Sequence, residues 1–161
     1  MLDSEFDYDS LLRVLRSFGE INLDYFSERL RLQKLGFLAQ KLGVNAGYHY
    51  SWYIHGPYSS TLASALFAGD EMGIFEKEVE LNNNEKKVAE LLRSLLDREV
   101  NDSNFLELYA SIWYLMPKGT LSEEEKKSTM EIMYKEKPQF SGPEIKEALD
   151  KIISFRSKYN L

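Results

Sequence analysis

The chain has 161 residues, of which 43% are hydrophobic and 13% aromatic, enough for one packed domain and too much for a disordered protein. It contains no cysteine, which excludes disulfide bonds, thiolate zinc sites and cysteine nucleophiles. The net charge is −6, no apolar run approaches about 18 residues, and the start MLDSEFDYDS lacks a signal-peptide pattern, so we expect a cytoplasmic protein without a membrane span.

Apolar residues recur at helical spacing along most of the chain. Three polar–glutamate pairs have capping-box spacing and mark helix starts, namely Asn82/Glu85, Ser122/Glu125 and Ser141/Glu144. Helices are predicted for Tyr8–Phe18, Ser27–Leu42, 59–68, from Asn82, for Phe105–Met116, from Ser122 to about Lys135, and from Ser141 to Tyr159. Gly36, inside the second of these, predicts that a neighbouring backbone approaches closely there.

The segments between the early helices have strand character. Residues 48–55 predict an aromatic strand that Gly56 and Pro57 end, because proline cannot donate to a sheet ladder. Residues 74–81, IFEKEVEL, alternate and predict another strand. This order of elements is typical of a winged helix-turn-helix. We predict a mainly α (α+β) fold: one domain over 1–161, with a winged-helix-like segment over 27–81, its small β element around 48–81, and a helical half over 82–161.

The charges are distributed unevenly. Residues 29–69 contain Arg29, Arg31, Lys34 and Lys41 and no Asp or Glu, although the chain holds 26 acids. Arg29, Arg31 and Lys34 share a helix at a spacing that suits phosphate contacts, with Lys41 further along it. The alternative interpretation is an ordinary solvated helix face, and single basic faces of this kind are common.

The stretch WYIHGPYSSTLASAL, residues 52–66, contains a turn followed by a hydroxyl-rich helix start. The simpler interpretation is that Ser59 or Ser60 caps the helix and that Gly-Pro-Tyr forms the turn. A second interpretation is an anion seat, because free amides at a helix N-terminus attract phosphate or carboxylate. His55, Tyr58, Ser59 and Ser60 would then lie beside the anion. The neighbouring aromatic residues fit core packing better than base stacking.

Several segments in fixed order resemble a known pattern. LRLQKLGFLAQKLG (30–43), YHYSWYIHGPYSSTLASAL (48–66) and MGIFE (72–76) resemble the helix, aromatic strand and GPYS-helix of the YwgA-like proteins, and more distantly the Panacea domain of SocA-type antitoxins. LELYASIWYLMP (106–117) and KPQFSGPEIKEALDKI (137–152) are similar to the same pattern. The YwgA-like group has no firmly assigned activity. The Panacea resemblance implies binding, either to neutralise a toxin or as an adaptor, and it implies no catalytic residue.

Catalytic patterns are missing from the sequence. His49 and His55 are the only histidines and no acid within 29–69 completes a metal site, while metal sites need three or four ligands. Neither a nucleophile elbow nor a glycine-rich phosphate loop is present. We therefore expect a protein that is not an enzyme and needs no metal or cofactor.

The function that these observations predict is a non-catalytic regulatory binding module, antitoxin-like or adaptor-like. It would hold a protein partner with an acidic surface through the basic, acid-free region 29–69, and it would not act at a membrane. The alternative is a winged-helix transcriptional regulator that binds duplex DNA, as a homodimer where it reads paired half-sites. Against DNA, the helix over 59–68 has no Arg, Lys, Asn or Gln to touch a base edge.

Overall fold

The structure is a computed structural model that describes residues 9–161. These residues form seven α-helices and one β-hairpin, which confirms the predicted mainly α class with a small β element. The helices are α1 Ser10–Ser17, α2 Phe26–Lys41, α3 Ser60–Glu71, α4 Asn83–Leu96, α5 Ser103–Leu115, α6 Glu123–Glu136 and α7 Gly142–Tyr159. The first helix was predicted to begin at Tyr8, which lies outside the described residues.

The helix starts follow the predicted capping chemistry. All three capping boxes form, so α4, α6 and α7 each begin directly after the capping residue with both reciprocal hydrogen bonds in place. The Asp9 side chain caps α1 by accepting a hydrogen bond from the Leu12 amide, and Ser59 caps α3.

Helix α2 lies at the centre of the molecule. Every residue from Arg31 to Ala39 is buried, because α1, α3, α4, α5 and the hairpin all pack around this helix. The predicted apolar stripe is therefore only part of its buried surface. At Gly36 the close neighbours are side chains and not the predicted backbone: a Cβ there would lie 2.8 Å from Leu62 Cδ2 and 3.1 Å from Tyr50 Oη.

The hairpin pairs β1, Ser51–Tyr53, with β2, Gly56–Tyr58, in antiparallel register with Trp52 opposite Pro57. The prediction of one strand ended by Gly56 and Pro57 was wrong, because these two residues begin the second strand. Proline fits this position because β2 is a strand edge, where a missing amide leaves no sheet partner unpaired.

The predicted strand over 74–81 was also wrong. Residues Ile74–Glu76 form a 3₁₀ turn that starts after Gly73, whose φ of +71° is left-handed. Ile74 and Phe75 are both buried, and Ile74 Cδ1 lies 2.7 Å from where a Cβ on Gly69 of α3 would be. Two consecutive buried side chains cannot be placed by a strand with one buried face, so packing beneath α3 overrides the alternation.

The two predicted parts of the chain share one hydrophobic core. Helix α5, from the helical half, packs against α2 and against β2, and α7 covers its other side. None of the helices within residues 9–161 is long and apolar enough to cross a lipid bilayer.

Candidate functional site

Ser59 caps the N-terminus of α3, and a side chain of α2 holds Ser59 in place. Ser59 is fully buried, and its Oγ accepts a hydrogen bond from the Leu62 amide at 3.1 Å. The Gln33 side chain of α2 makes two further bonds to the same residue, donating to Ser59 O at 2.9 Å and accepting from Ser59 N at 2.8 Å. The predicted cap by Ser59 is therefore confirmed, whereas the prediction that Gly-Pro-Tyr forms the turn was wrong, because Gly56–Tyr58 form strand β2 and the turn lies at residues 54–55. Ser60 is exposed and Tyr58 is half-buried.

Two buried lysines donate hydrogen bonds to backbone carbonyls of the hairpin. Lys34 of α2 donates from Nζ to Pro57 O at 2.6 Å, and Lys137, directly after α6, donates to Ile54 O. Both side chains are 1% exposed. The Lys137 ammonium also lies 5.1 Å from the centre of the Trp52 ring, a cation–π contact with β1.

Glu107 of α5 supplies the negative charge for this cluster. Its Oε2 lies 3.3 Å from Lys137 Nζ and accepts a hydrogen bond from Gln139 Nε2 at 2.8 Å. Its Oε1 lies 3.4 Å from His55 Nδ1 on the hairpin turn. We call Lys34, Glu107 and Lys137, with the two hairpin carbonyls they hold, the hairpin clamp.

Burial in the clamp disfavours the charged form of Lys34. Burial lowers the pKa of Lys34 to about 8, Glu107 opposes that shift, and the charge of Lys137 adds to it. Lys34 is therefore mostly charged at neutral pH but close to losing its proton. A lysine of this kind can be a nucleophile, yet its ammonium is enclosed and bound to Pro57 O, so the arrangement supports the hairpin and offers no route to a substrate.

Gly56 allows the hairpin to sit directly on α5. Its φ is +91°, and a Cβ at this position would lie 2.6 Å from Ser111 Oγ. Only glycine combines that backbone conformation with such a close approach. Gly56 thus fixes how near the hairpin comes to Glu107 on the same helix.

The basic residues predicted as one face of α2 lie in different environments. Arg31 is 4% exposed and forms a two-point ion pair with Glu28, with nitrogen–oxygen distances of 2.6 and 2.8 Å. Glu28 lies one residue before the acid-free stretch 29–69, so the composition of that stretch gives no sign of the acid that pairs with Arg31. Lys34 is buried in the clamp. Arg29 is half-buried and donates from Nη1 to Leu23 O at 2.7 Å.

An apolar groove runs between the first half of α2 and α3, and we call it the α2–α3 groove. It has a volume of about 140 Å³. Its walls include Phe26 and Phe67, which are 55% and 48% exposed. Arg29 is the one charged side chain among its lining residues in the described part of the chain, with the guanidinium 5.6 Å from the centre of the Phe26 ring. The remaining lining residues are Leu23, Leu30, Gln33, Tyr58, Ala63 and Leu66.

His55 connects the groove to the clamp. Its ring meets Phe26 edge-on, with centroids 5.5 Å apart, while its Nδ1 faces Glu107. His55 and Tyr58, both predicted as binding residues, therefore flank the groove together with Arg29. Lys41 is exposed at the far end of α2, about 18 Å from Arg29 along the helix axis.

Sequence reasoning missed Glu107, Lys137 and Gln33. One signal was available for Glu107, which is a lone acid in an otherwise uncharged stretch, FLELYASIWYL, that becomes a buried helix. A buried acid requires a buried cation. Among residues 9–161, no group of three His, Asp or Glu side chains converges as metal ligands would.

No protein-family model, no curated protein and no solved structure matches the chain. The resemblance to the YwgA-like and Panacea patterns stays a prediction.

Proposed function

We propose that the chain is a non-catalytic regulatory binding module that holds an acidic segment of a protein partner in the α2–α3 groove. The observation that carries this proposal is the pairing of half-exposed Phe26 and Phe67 with the single cation Arg29 around one apolar depression. The proposal narrows the binding region expected over 29–69 to the groove between α2 and α3.

The size of the groove favours a side chain over a small molecule. Pockets for small organic ligands usually measure about 300–1,000 Å³. A volume of about 140 Å³ suits one large apolar side chain inserted as an anchor. Large rings that stay half exposed around such a depression are costly in water and typical of interaction surfaces.

The charge of the groove favours an acidic partner. Arg29 makes its hydrogen bond to Leu23 O through one nitrogen, which leaves further donors of the guanidinium fork for a carboxylate beside the anchor. Glu28, the nearest acid in sequence, is engaged with Arg31. The antitoxin-like or adaptor-like role implied by the Panacea resemblance fits this chemistry.

The winged-helix DNA reader has less support. Two of the three clustered basic residues of α2 are buried, and phosphate contacts need exposed cations. Helix α3 carries Ser, Thr, Leu, Ala and Phe over most of its length, none of which forms a bidentate contact to a purine edge. The experiment below distinguishes binding of duplex DNA from binding of a protein partner.

The test uses Ala63→Trp, which fills the groove, and Arg29→Glu, which reverses its charge. The control is Ile132→Trp, which adds the same ring at an exposed apolar position on α6. Proteins retained by the immobilised wild-type chain would be purified, and their affinities measured for all four proteins. We expect both groove variants to bind at least about 30-fold more weakly and the control to bind normally.

Equal binding by wild type and both groove variants would refute the groove as the binding site. A labelled random duplex at two salt concentrations is measured in parallel. Salt-sensitive binding of the duplex that Arg29→Glu abolishes would replace the protein partner with DNA.

A further inference from the structure

Residues 1–8, which we call the N-terminal segment, precede the part of the chain that the structure describes, and their sequence is MLDSEFDY. Three of the eight are acids and none is basic. Phe6 lies between two of these acids, Glu5 and Asp7. Besides Tyr8, no other aromatic residue of the chain has an acid on each side. The N-terminal segment therefore combines a large apolar side chain with clustered negative charge.

The α2–α3 groove has two properties that match such a segment. Its volume of about 140 Å³ accepts one large apolar side chain, and the rings of Phe26 and Phe67 in its walls are about half exposed. Arg29 is the one charged side chain that lines it in the described part of the chain, and only one nitrogen of the Arg29 guanidinium donates to Leu23 O. A phenylalanine between two carboxylates fits both the apolar depression and the cation beside it.

The charges around the groove give an inserted acidic segment a preferred orientation. Asp70 and Glu71 lie about one helical turn after Phe67 on α3, and both are exposed. Their charges repel carboxylates from that side of the groove, whereas Arg29 on α2 attracts them. The carboxylates of an inserted segment therefore lie on the α2 side.

The point where the N-terminal segment joins the fold lies away from the groove of the same molecule. The Asp9 carboxylate accepts a hydrogen bond from Tyr48 Oη, and Tyr48 O accepts one from Gln40 Nε2, which places Asp9 towards the C-terminal end of α2. Arg29 lies eleven residues before Gln40, which is about 16 Å along the helix axis. Phe6 precedes Asp9 by three residues, which span at most about 11 Å when extended. The groove within reach of Phe6 is therefore that of another molecule.

We infer that Phe6 of a second copy of this chain inserts into the α2–α3 groove, with Glu5 and Asp7 of that copy beside Arg29. Each copy has one N-terminal segment and one groove, so two copies exchange their segments reciprocally in a symmetric dimer. This exchange rests on the proposed function of the groove and adds a regulation to it. The segment of the second copy occupies the groove until a protein partner displaces it, so self-association and partner binding compete.

Sedimentation velocity of the full chain measures the association. We expect the wild type to pass from monomer to dimer between about 1 and 500 μM. Phe6→Ser removes the anchor, while Ala63→Trp and Arg29→Glu alter the groove, and we expect each to weaken the association at least about tenfold. Leu2→Ser, in the same segment, and Ile132→Trp, at an exposed position on α6, are the matched controls and should associate like the wild type.

A mixture of two variants distinguishes exchange between molecules from insertion into a molecule's own groove. Phe6→Ser keeps an intact groove, and Ala63→Trp keeps an intact N-terminal segment. We expect each to be monomeric alone and the mixture to form a heterodimer that retains one of the two contacts. Circular dichroism checks that the variants keep their helices, and Arg29→Glu takes the place of Ala63→Trp if the larger ring disturbs the fold.

Three results would overturn the exchange: a wild type that stays monomeric over the whole concentration range, a Phe6→Ser protein that associates like the wild type, or a mixture of the two variants that does not associate. The two proposals fail separately. A different protein bound in the groove of a monomeric wild type would support the proposed function and contradict the exchange. Self-association that Phe6→Ser and Ala63→Trp both abolish, with no other protein retained, would support the exchange and contradict a foreign partner.

Discussion

The α2–α3 groove and the hairpin clamp each take a basic side chain from the same helix and place it in opposite surroundings. Arg29 borders an open apolar depression beside an exposed ring, whereas Lys34, five residues later, is enclosed under the hairpin. The Arg29 side chain is half-buried and borders the groove, whereas the Lys34 side chain is enclosed and hydrogen-bonds to the hairpin. Basic residues in the same acid-free stretch therefore have two different structural roles, and their burial distinguishes these roles.

The largest expected effect tests the buried side of this comparison. Glu107→Ala removes the carboxylate that balances Lys34 and Lys137, and we expect it to lower the free energy of unfolding by about 3–5 kcal/mol. Urea denaturation measures the change. Glu90→Ala, at an exposed position on α4, is the control and should change stability by less than about 0.5 kcal/mol. A Glu107→Ala protein as stable as the control would mean that the clamp does not hold the hairpin.

The next largest effect is a pH dependence of stability that Lys34 produces and Arg29 does not. The pKa of Lys34 is about 8 in the folded protein against an ordinary value of 10.5, so the unfolded chain binds more protons between these values. The free energy of unfolding should therefore rise with pH across this window in the wild type relative to Lys34→Met, by about 3 kcal/mol in total, and the difference should be constant below about pH 7, where Lys34 is protonated in both the folded and the unfolded chain.

The control for this measurement is Arg29→Met, from the exposed side of the same comparison. A guanidinium stays charged throughout the window, so the difference from the wild type should not change with pH. Denaturation of the three proteins at several pH values decides the point. Parallel curves for the wild type and Lys34→Met would contradict a buried lysine of lowered pKa.

The sequence predicts the helices of this protein well, but it does not predict which charged residues are buried. The helices and their caps are encoded locally: Asn82 with Glu85 marks the start of α4 without reference to any other part of the chain. The segment 74–81 has a local strand pattern that packing of Ile74 and Phe75 beneath α3 overrules. Local signals therefore predicted the fold class and most boundaries.

The site was harder to predict because its partners are distant in sequence. Lys34 and Arg29 are both basic residues of the same acid-free stretch, so the sequence does not show which of them is buried. Glu107, the acid that makes the burial of Lys34 possible, comes from another helix. The groove depends on the angle at which α3 crosses α2, which no single stretch encodes. Of the residues predicted for binding, Arg29 and Tyr58 line the α2–α3 groove and His55 contacts Phe26 in its wall, whereas Ser59 is buried and caps α3.

The smallest expected effect tests the exposed side. Phe67→Ser removes a ring that is already 48% exposed, so we expect the free energy of unfolding to fall by less than about 1 kcal/mol. Thermal unfolding followed by circular dichroism measures it. Its neighbour Leu66, 2% exposed, gives the contrast, since Leu66→Ala should cost about 2–5 kcal/mol. Similar losses for both variants would place Phe67 in the core and remove it from the binding surface.

The enclosure of α2 has a consequence for motion as well as for packing. Helix α2 contacts elements from α1 to α5, and residues 31–39 in its middle are all buried, so we expect these amides to meet solvent only when the core opens. Hydrogen exchange at these amides therefore reports global unfolding, while the exposed hairpin tip at Ile54 exchanges through small local movements. Helix α2, which forms one wall of the α2–α3 groove, is therefore the element that we expect to open last.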